Sequence, residues 1–302
     1  MNNTLRNVFM GAVLVALLAP LVVVGGVSVN EKKELLFPPR GFSLGWYGDL
    51  LSQADWLNAM KNSLIIAVAS AALAVSVAFP VAYFLWRYKV FYARILFGLG
   101  VAPFMLPPVI TALGFLLFWV NIGMYGQMPA TIVSHAIFFV TLPLVTISLG
   151  LQSIDRQIIE ASTTLGADDR MVFRSVILPL VTISLGLESI DRQIIEAATT
   201  MGASDRTIFR TVVLPMVRPY LISGYAFAFV LSLNEYIVAY MVAGFTVETL
   251  PIKIFNSLRY GYTPVMAAVA VVFVLVAMVV FGLIAKFGNL PKLLGAWSGK
   301  ED

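Results

Sequence analysis

The chain has 302 residues, of which 60% are hydrophobic and only 12% charged, where soluble domains carry roughly 25% charged residues. With a mean hydropathy of +0.90, that composition marks an integral membrane protein, and the apolar run lengths exclude a soluble protein with a large core. There is no Cys and only one His, which removes disulfide frameworks, thiolate nucleophiles and Cys-based metal sites, and the net charge of +4 comes from basic residues at helix ends, with no basic, aromatic-laced face for nucleic acid.

A helix needs about 20 mostly apolar residues to cross a bilayer. Six stretches meet that requirement, at about 8–29, 60–86, 95–119, 129–151, 218–244 and 263–287. The first follows a basic start and runs through "VFMGAVLVALLAPLVVVGGVSV". That is longer than the 7–15 apolar residues of a secretory signal, so an uncleaved span is predicted. Between the second and third stretches lies "RYKVFYAR", with Arg87, Lys89 and Arg94. A short basic loop of this kind stays cytoplasmic. The uncharged loop 120–128 then faces outwards, while Arg6, Lys286 and Lys292 fall inside. The expectation is an all-α membrane protein, a single domain over 1–302 with six transmembrane helices and both termini cytoplasmic. Two mixed-charge outer segments, 30–57 and 245–262, go against the charge rule.

Pro80, Pro103, Pro107, Pro108 and Pro143 fall inside or beside the spans, where each removes a helix hydrogen bond. "APFMLPPVITALGF" therefore reads as a bent helix, either beside a water-lined cavity or as an ordinary packing kink. His135, in the fourth stretch, reads as a packed or locally bonded side chain and not as a ligand.

Between the fourth and fifth stretches the chain repeats itself. Residues 142–177 and 178–213 differ at eight of 36 positions, the pattern of a tandem duplication. Each copy has the local logic of helix, Gly turn, helix. In the second, Ile190, Ile194, Ala197 and Met201 form an apolar stripe, Gly202 stops the helix, and Ser204 caps the next one, as Asp168 does in the first copy. The two copies hold 14 charged side chains. A solvated cytoplasmic hairpin explains the charge alone, and a docking element is the sharper reading. The linking stretch "ILPLVTISLGL" has 11 residues, about 16 Å as a helix. That is too short to cross, which places both copies on the same, cytoplasmic side.

In the fifth stretch, "FVLSLNEYIVAYM" carries Glu235. An acid at membrane depth costs about 2.5–3.5 kcal/mol on insertion scales, so it faces a cavity or a partner group. One reading makes Glu235, Asn234, Tyr236 and Tyr240 a cation-attracting substrate pathway through charge and cation–π contact. The other makes Glu235 a structural pair with a partner chain or with Arg259. No paired acid–base site, Ser/His/Asp arrangement or metal cluster is present, so no catalytic or metal-binding residues are predicted. A phosphate-binding G-x-x-x-x-G-K-[ST] loop is missing too.

The spacing Glu196-Ala197-Ala198, three residues, Gly202, nine residues, Val212-Val213-Leu214-Pro215 resembles the EAA loop of bacterial ABC importer permeases. The first copy, Glu160-Ala161-Ser162, then Gly166 and Val176-Ile177-Leu178-Pro179, resembles it with Ser as third residue. "FPPRGFSLGWY", "NSLIIA", "NEYIVAYMVAG" and "LPIKIFNSLRYGYTPVMAA" resemble the spermidine/putrescine-type permeases. The resemblance implies a MetI-like fold in a bacterial inner membrane. It implies a second permease, two copies of a cytoplasmic ATPase and an external solute-binding protein as partners. ATP and Mg would sit on the ATPase, and this chain, not itself an enzyme, would bind no cofactor. The coupling residues carried over are Glu160, Ala161 and Gly166, and Glu196, Ala197, Ala198 and Gly202. The second copy is the expected docking one, since Ala198 fits the pattern better than Ser162. The implied cargo is a small organic cation such as a polyamine, with an amino-acid derivative or opine as the alternative. An ion-coupled secondary transporter or a membrane scaffold would leave the EAA pattern unexplained.

Overall fold

The computed structural model describes residues 3–34, 36–88, 91–152, 213–260 and 264–287. Among them every regular element is a helix: α1 (Asn3–Ser28), α2 (Gly45–Ser52), α3 (Ala54–Tyr88), α4 (Phe91–Met105), α5 (Pro108–Ile122), α6 (Met128–Phe139), α7 (Thr141–Gln152), α8 (Leu214–Asn234), α9 (Ile237–Ala243), α10 (Leu250–Tyr260) and α11 (Val265–Phe287). Helices suit a bilayer because they satisfy their own backbone polar groups where no water can.

Among the described residues, α1 and α3 are the single helices long and apolar enough to cross a membrane. The pairs α4 with α5, α6 with α7, and α8 with α9 qualify when each broken pair counts as one span, and α11 contributes a shorter apolar helix over Val265–Val280. Each predicted stretch falls on one of these. The predicted bend at "APFMLPPVITALGF" is a full break at Leu106–Pro107. A residue before proline is pushed out of the helical region, and Pro108 then restarts the helix near its first position, where its missing N–H costs nothing. The break between α6 and α7 was predicted only as a proline interruption. Pro143 clashes with the carbonyl four residues back, and Phe139 is where α6 ends.

The described residues divide into two compact units. The first holds the chain up to Ala71, Leu106–Ile137 and Phe229–Leu283. Its core is built from Leu50, Trp56, Ala59, Leu250, Val265, Met266 and Val269, flanked by Trp46, Met60 and Phe273. Those residues join α2, the start of α3, α10 and α11. Asn30 ties the loop after α1 together: its Oδ1 accepts from the Arg40 N–H at 3.0 Å and its carbonyl accepts from the Trp46 indole at 2.6 Å. α5 ends at Gly123, whose φ of 76° supplies the left-handed cap that glycine adopts without a Cβ penalty.

The stretch of α3 inside the first unit buries Ala59, Ser63, Ile66, Ala67, Ser70 and Ala71, a stripe at helical spacing made mainly of small residues, which lets backbones approach closely. Polar members of this face bond to the segment around α10. The Asn62 amide donates to the Glu248 carbonyl at 2.9 Å, and the Leu250 N–H donates to Ser63 Oγ at 2.8 Å. α1 is the opposite case: Leu5, Phe9, Val15 and Leu17 are all exposed, an apolar surface that only lipid or another apolar chain suits.

The second unit holds Ala72–Met105, Phe138–Ala228 and the residues from Ile284 on, so far as they are described. Here α4, α7 and α8 meet at glycines. Thr141 Oγ1 donates to the Gly100 carbonyl at 2.7 Å, and Gly224 lies against α7 so closely that a Cβ would stand 2.9 Å from Pro143 Cα. Backbone cannot give way as a flexible side chain does. Gly224→Ala is therefore expected to cost about 1–3 kcal/mol, the range for overpacking. Gly98→Ala, with nothing within 4 Å of its Cβ, should be neutral or slightly stabilising, and thermal unfolding of the two variants in detergent measures the contrast.

Candidate functional site

The fifth predicted span is not continuous. α8 stops at Asn234, α9 starts at Ile237, and their axes differ by 67°, with no proline or glycine at the break. The cause is a side chain. Glu235 Oε1 accepts the Val238 N–H at 2.8 Å and Oε2 accepts the Ala239 N–H at 2.9 Å. These are orphan donors of the first turn of α9, and a carboxylate on backbone N–H groups makes bonds roughly twice as strong as neutral ones.

The same carboxylate meets His135 of α6, with Nε2 at 3.3 Å from Oε2. His135 is 1% exposed. Its other ring nitrogen, Nδ1, lies 2.8 Å from Ser232 Oγ on α8, which lies 3.0 Å from Ser70 Oγ on α3. The preceding residue of α6 faces elsewhere, and Ser134 Oγ accepts the Trp119 indole N–H of α5 at 2.7 Å. A buried polar cluster thus links α3, α6, α8 and the start of α9, its residues Ser70, His135, Ser232 and Glu235 all lying within the first unit. Each contact offsets part of the cost of holding a carboxylate at this depth.

On the far side of the break the aromatic residues gather. The rings of Tyr236 and Tyr240 stack at 5.4 Å, Tyr236 lies 4.7 Å from Phe255 of α10, and Tyr240 meets Phe245 edge-on at 6.1 Å. Nearby, the start of α3 and the segment leading into α10 form a polar cleft of about 520 Å³ lined by residues that include Asp55, Asn62, Glu248 and Lys253. Lys253 Nζ lies 3.3 Å from Glu248 and 3.5 Å from Asp55.

The four substrate-pathway residues predicted from sequence therefore share one place, the α8–α9 break, though not one role. Glu235 is mostly occupied by backbone and imidazole, and the group that meets it is His135, where the sequence offered Arg259 or a partner chain. Asn234 is exposed and its amide donates to the Val230 carbonyl of its own helix at 2.8 Å. Tyr236 and Tyr240 are half-buried and keep aromatic surface available. Sequence reasoning missed Ser70, Ser232 and Phe255, which look like any other Ser or Phe in an apolar run. His135 was read as packed or locally bonded, without its link to Glu235. The coupling residues Glu160, Ala161, Gly166, Glu196, Ala197, Ala198 and Gly202 lie outside the described residues. Among the described residues no cluster of His, Asp and Glu has the form of a metal site.

Comparison with known proteins adds the family context. Residues 180–288 match the family described as Binding-protein-dependent transport system inner membrane component. The Putrescine transport system permease protein PotI of Escherichia coli (strain K12) is 32% identical over 276 residues, 89% of this chain and 85% of that protein. The Spermidine/putrescine transport system permease protein PotC of Haemophilus influenzae is 28% identical over 274 residues, 91% of this chain and 92% of that one. Among solved structures, a chain of a bacterial ABC transporter involved in the import of the acidic polysaccharide alginate aligns with a TM-score of 0.64 at 15% identity, over 94% of this chain and 95% of that one. A chain of the MetNI methionine ABC transporter in an inward-facing form aligns with a TM-score of 0.53 at 15% identity, over 76% of this chain and 93% of that one. At such identities the structural likeness speaks for the fold alone.

Removing the carboxylate tests its part in the break. Glu235→Ala leaves two N–H groups without their acceptor and removes the charge beside His135, an expected loss of about 1.5–3 kcal/mol. Glu235→Gln keeps one acceptor oxygen and should lose less. The thermal midpoints of both variants in lipid nanodiscs give the order.

Proposed function

From the premise that this chain belongs to the binding-protein-dependent transport system inner membrane components, the permease subunits of ABC importers, we propose that it conducts a polyamine-like organic cation into the cell. The observation that carries the cargo reading is the likeness along nearly the whole chain to permeases named for putrescine and for spermidine and putrescine. Two single helices and three broken pairs give up to five spans, and this reading takes α11 as the sixth, with both termini cytoplasmic and the chain in the inner membrane. A second permease, two ATPase subunits and an external binding protein complete the assembly, and the ATPase chains hold ATP and Mg.

The α8–α9 break supplies the chemistry for such a cargo. Stacked Tyr236 and Tyr240 present π faces that attract an ammonium group by about 0.5–2 kcal/mol each. Glu235 contributes a fixed negative field from behind them more than a direct ligand, since its oxygens already hold backbone N–H groups. Asn234 is the exposed polar neighbour. Energy reaches the pathway through the doubled EAA segment, with Glu196, Ala197, Ala198 and Gly202 as the docking copy and Glu160, Ala161 and Gly166 as the accessory one.

Proteoliposomes containing the complete complex test this. Labelled putrescine should enter only with ATP and binding protein, and spermidine should compete. Tyr240→Leu should reduce uptake several-fold while ATPase subunits still co-purify. Glu196→Arg with Gly202→Pro should abolish coupled hydrolysis, and Glu160→Arg with Gly166→Pro should leave it. Loss only in the latter variant would reverse the docking assignment, and intact coupling in both would end the coupling-helix reading. Uptake without ATP would overturn the ABC mechanism, and ATP-driven uptake of an unrelated solute in place of the amines would overturn the cargo.

A further inference from the structure

The run from His135 Nδ1 through Ser232 to Ser70 admits two hydrogen-bond directions on the same heavy atoms. A serine hydroxyl has one proton to give, so the direction of each bond is fixed by its neighbour. Beside an ionised Glu235, a neutral imidazole must carry its proton on Nε2, because a lone pair there would face the carboxylate. Nδ1 is then an acceptor, Ser232 donates to it, and Ser70 donates to Ser232. When the ring is an imidazolium, Nδ1–H donates to Ser232 instead. Ser232 then turns its proton to Ser70, and Ser70 turns its own to the Ala67 carbonyl, which stands 3.3 Å away. That carbonyl completes the second pattern. One added proton reverses two hydroxyls, and each keeps an acceptor.

The consequence lies at Glu235. At 3.3 Å the Nε2–Oε2 contact is long for an N–H···O bond, and an imidazolium converts it into a charge-assisted one. We propose that His135 is a positioning residue whose proton occupancy sets how firmly Glu235 holds the first turn of α9, and with it the break in this span. Acid tightens the break and alkali loosens it. The charged and titratable groups on the neighbouring elements of this unit are few: Asp55 and Lys61 on α3, Tyr236 at the break with Tyr240 on α9, and Lys253 and Arg259 on α10. Lys253 is paired with Asp55 and Glu248, and Arg259 acts on Tyr236. The inference does not depend on the cargo.

His135 is the chain's only histidine, so ring-¹⁵N histidine in the full chain in nanodiscs gives one pair of signals. With the ring neutral the proton is expected on Nε2, and protonation of the ring should leave a proton on both nitrogens. In Glu235→Gln the amide can donate to Nε2, and the neutral proton should move to Nδ1. Amide exchange over α9, corrected for the intrinsic pH effect, should slow about fivefold across the same transition. His135→Gln keeps an acceptor for Ser232 and a donor for Glu235, so it should preserve protection but flatten its pH dependence. A neutral Nδ1–H tautomer in the parent chain, an unchanged tautomer in Glu235→Gln, or equal pH dependence in the parent and His135→Gln would each overturn the proposal.

Discussion

A carboxylate removed from water must find donors, and that demand organises the first unit. Glu235 takes two from the backbone of α9 and stands 3.3 Å from the His135 ring. In doing so it performs what proline does elsewhere in the chain, since it ends one helix and begins another. The difference is that a proline break is covalent and permanent. A break held by a side chain lasts only as long as the side chain keeps its partners. The aromatic group of Tyr236, Tyr240 and Phe255 depends on this arrangement, because the turn at 235–236 brings Tyr236 into line with Tyr240.

The sequence made the membrane character, the positions of the apolar stretches and two of the three breaks legible, since hydropathy and proline are local signals. Leu106–Pro107 and Phe139 needed no tertiary information beyond the proline ring. The α8–α9 break had no such mark. Its cap is a Glu two positions before the helix begins, where capping patterns favour Ser, Thr, Asp or Asn at the adjacent residue. The acid itself stood out against its apolar surroundings, so the place was found while its partner was not. By charge the sequence offered Arg259 or a partner chain. His135 stands 100 positions away in the chain, and no local pattern encodes that proximity. Ser70 and Ser232 were less legible still, because an interior Ser that bonds across helices has the same local sequence context as one that bonds to its own helix.

Ser134 and His135 show why adjacent residues count for more than their number in a membrane helix. They point about 100° apart around α6, so one holds the Trp119 indole on α5 and the other holds Ser232 on α8. A turn of α6 about its own axis strains both anchors together, which ties the orientation of α6 to two neighbours through two consecutive side chains.

The small-residue face of α3 has a mechanical consequence of its own. Alanine and serine have almost no rotamers to interlock, so such a face resists sliding far less than one of interdigitated leucines. Its register rests instead on a few polar studs, Asn62 to Glu248, Ser63 to Leu250 and Ser70 to Ser232. Release of those studs would leave a low-friction track, along which the helix can travel by fractions of a turn without first unpacking a core.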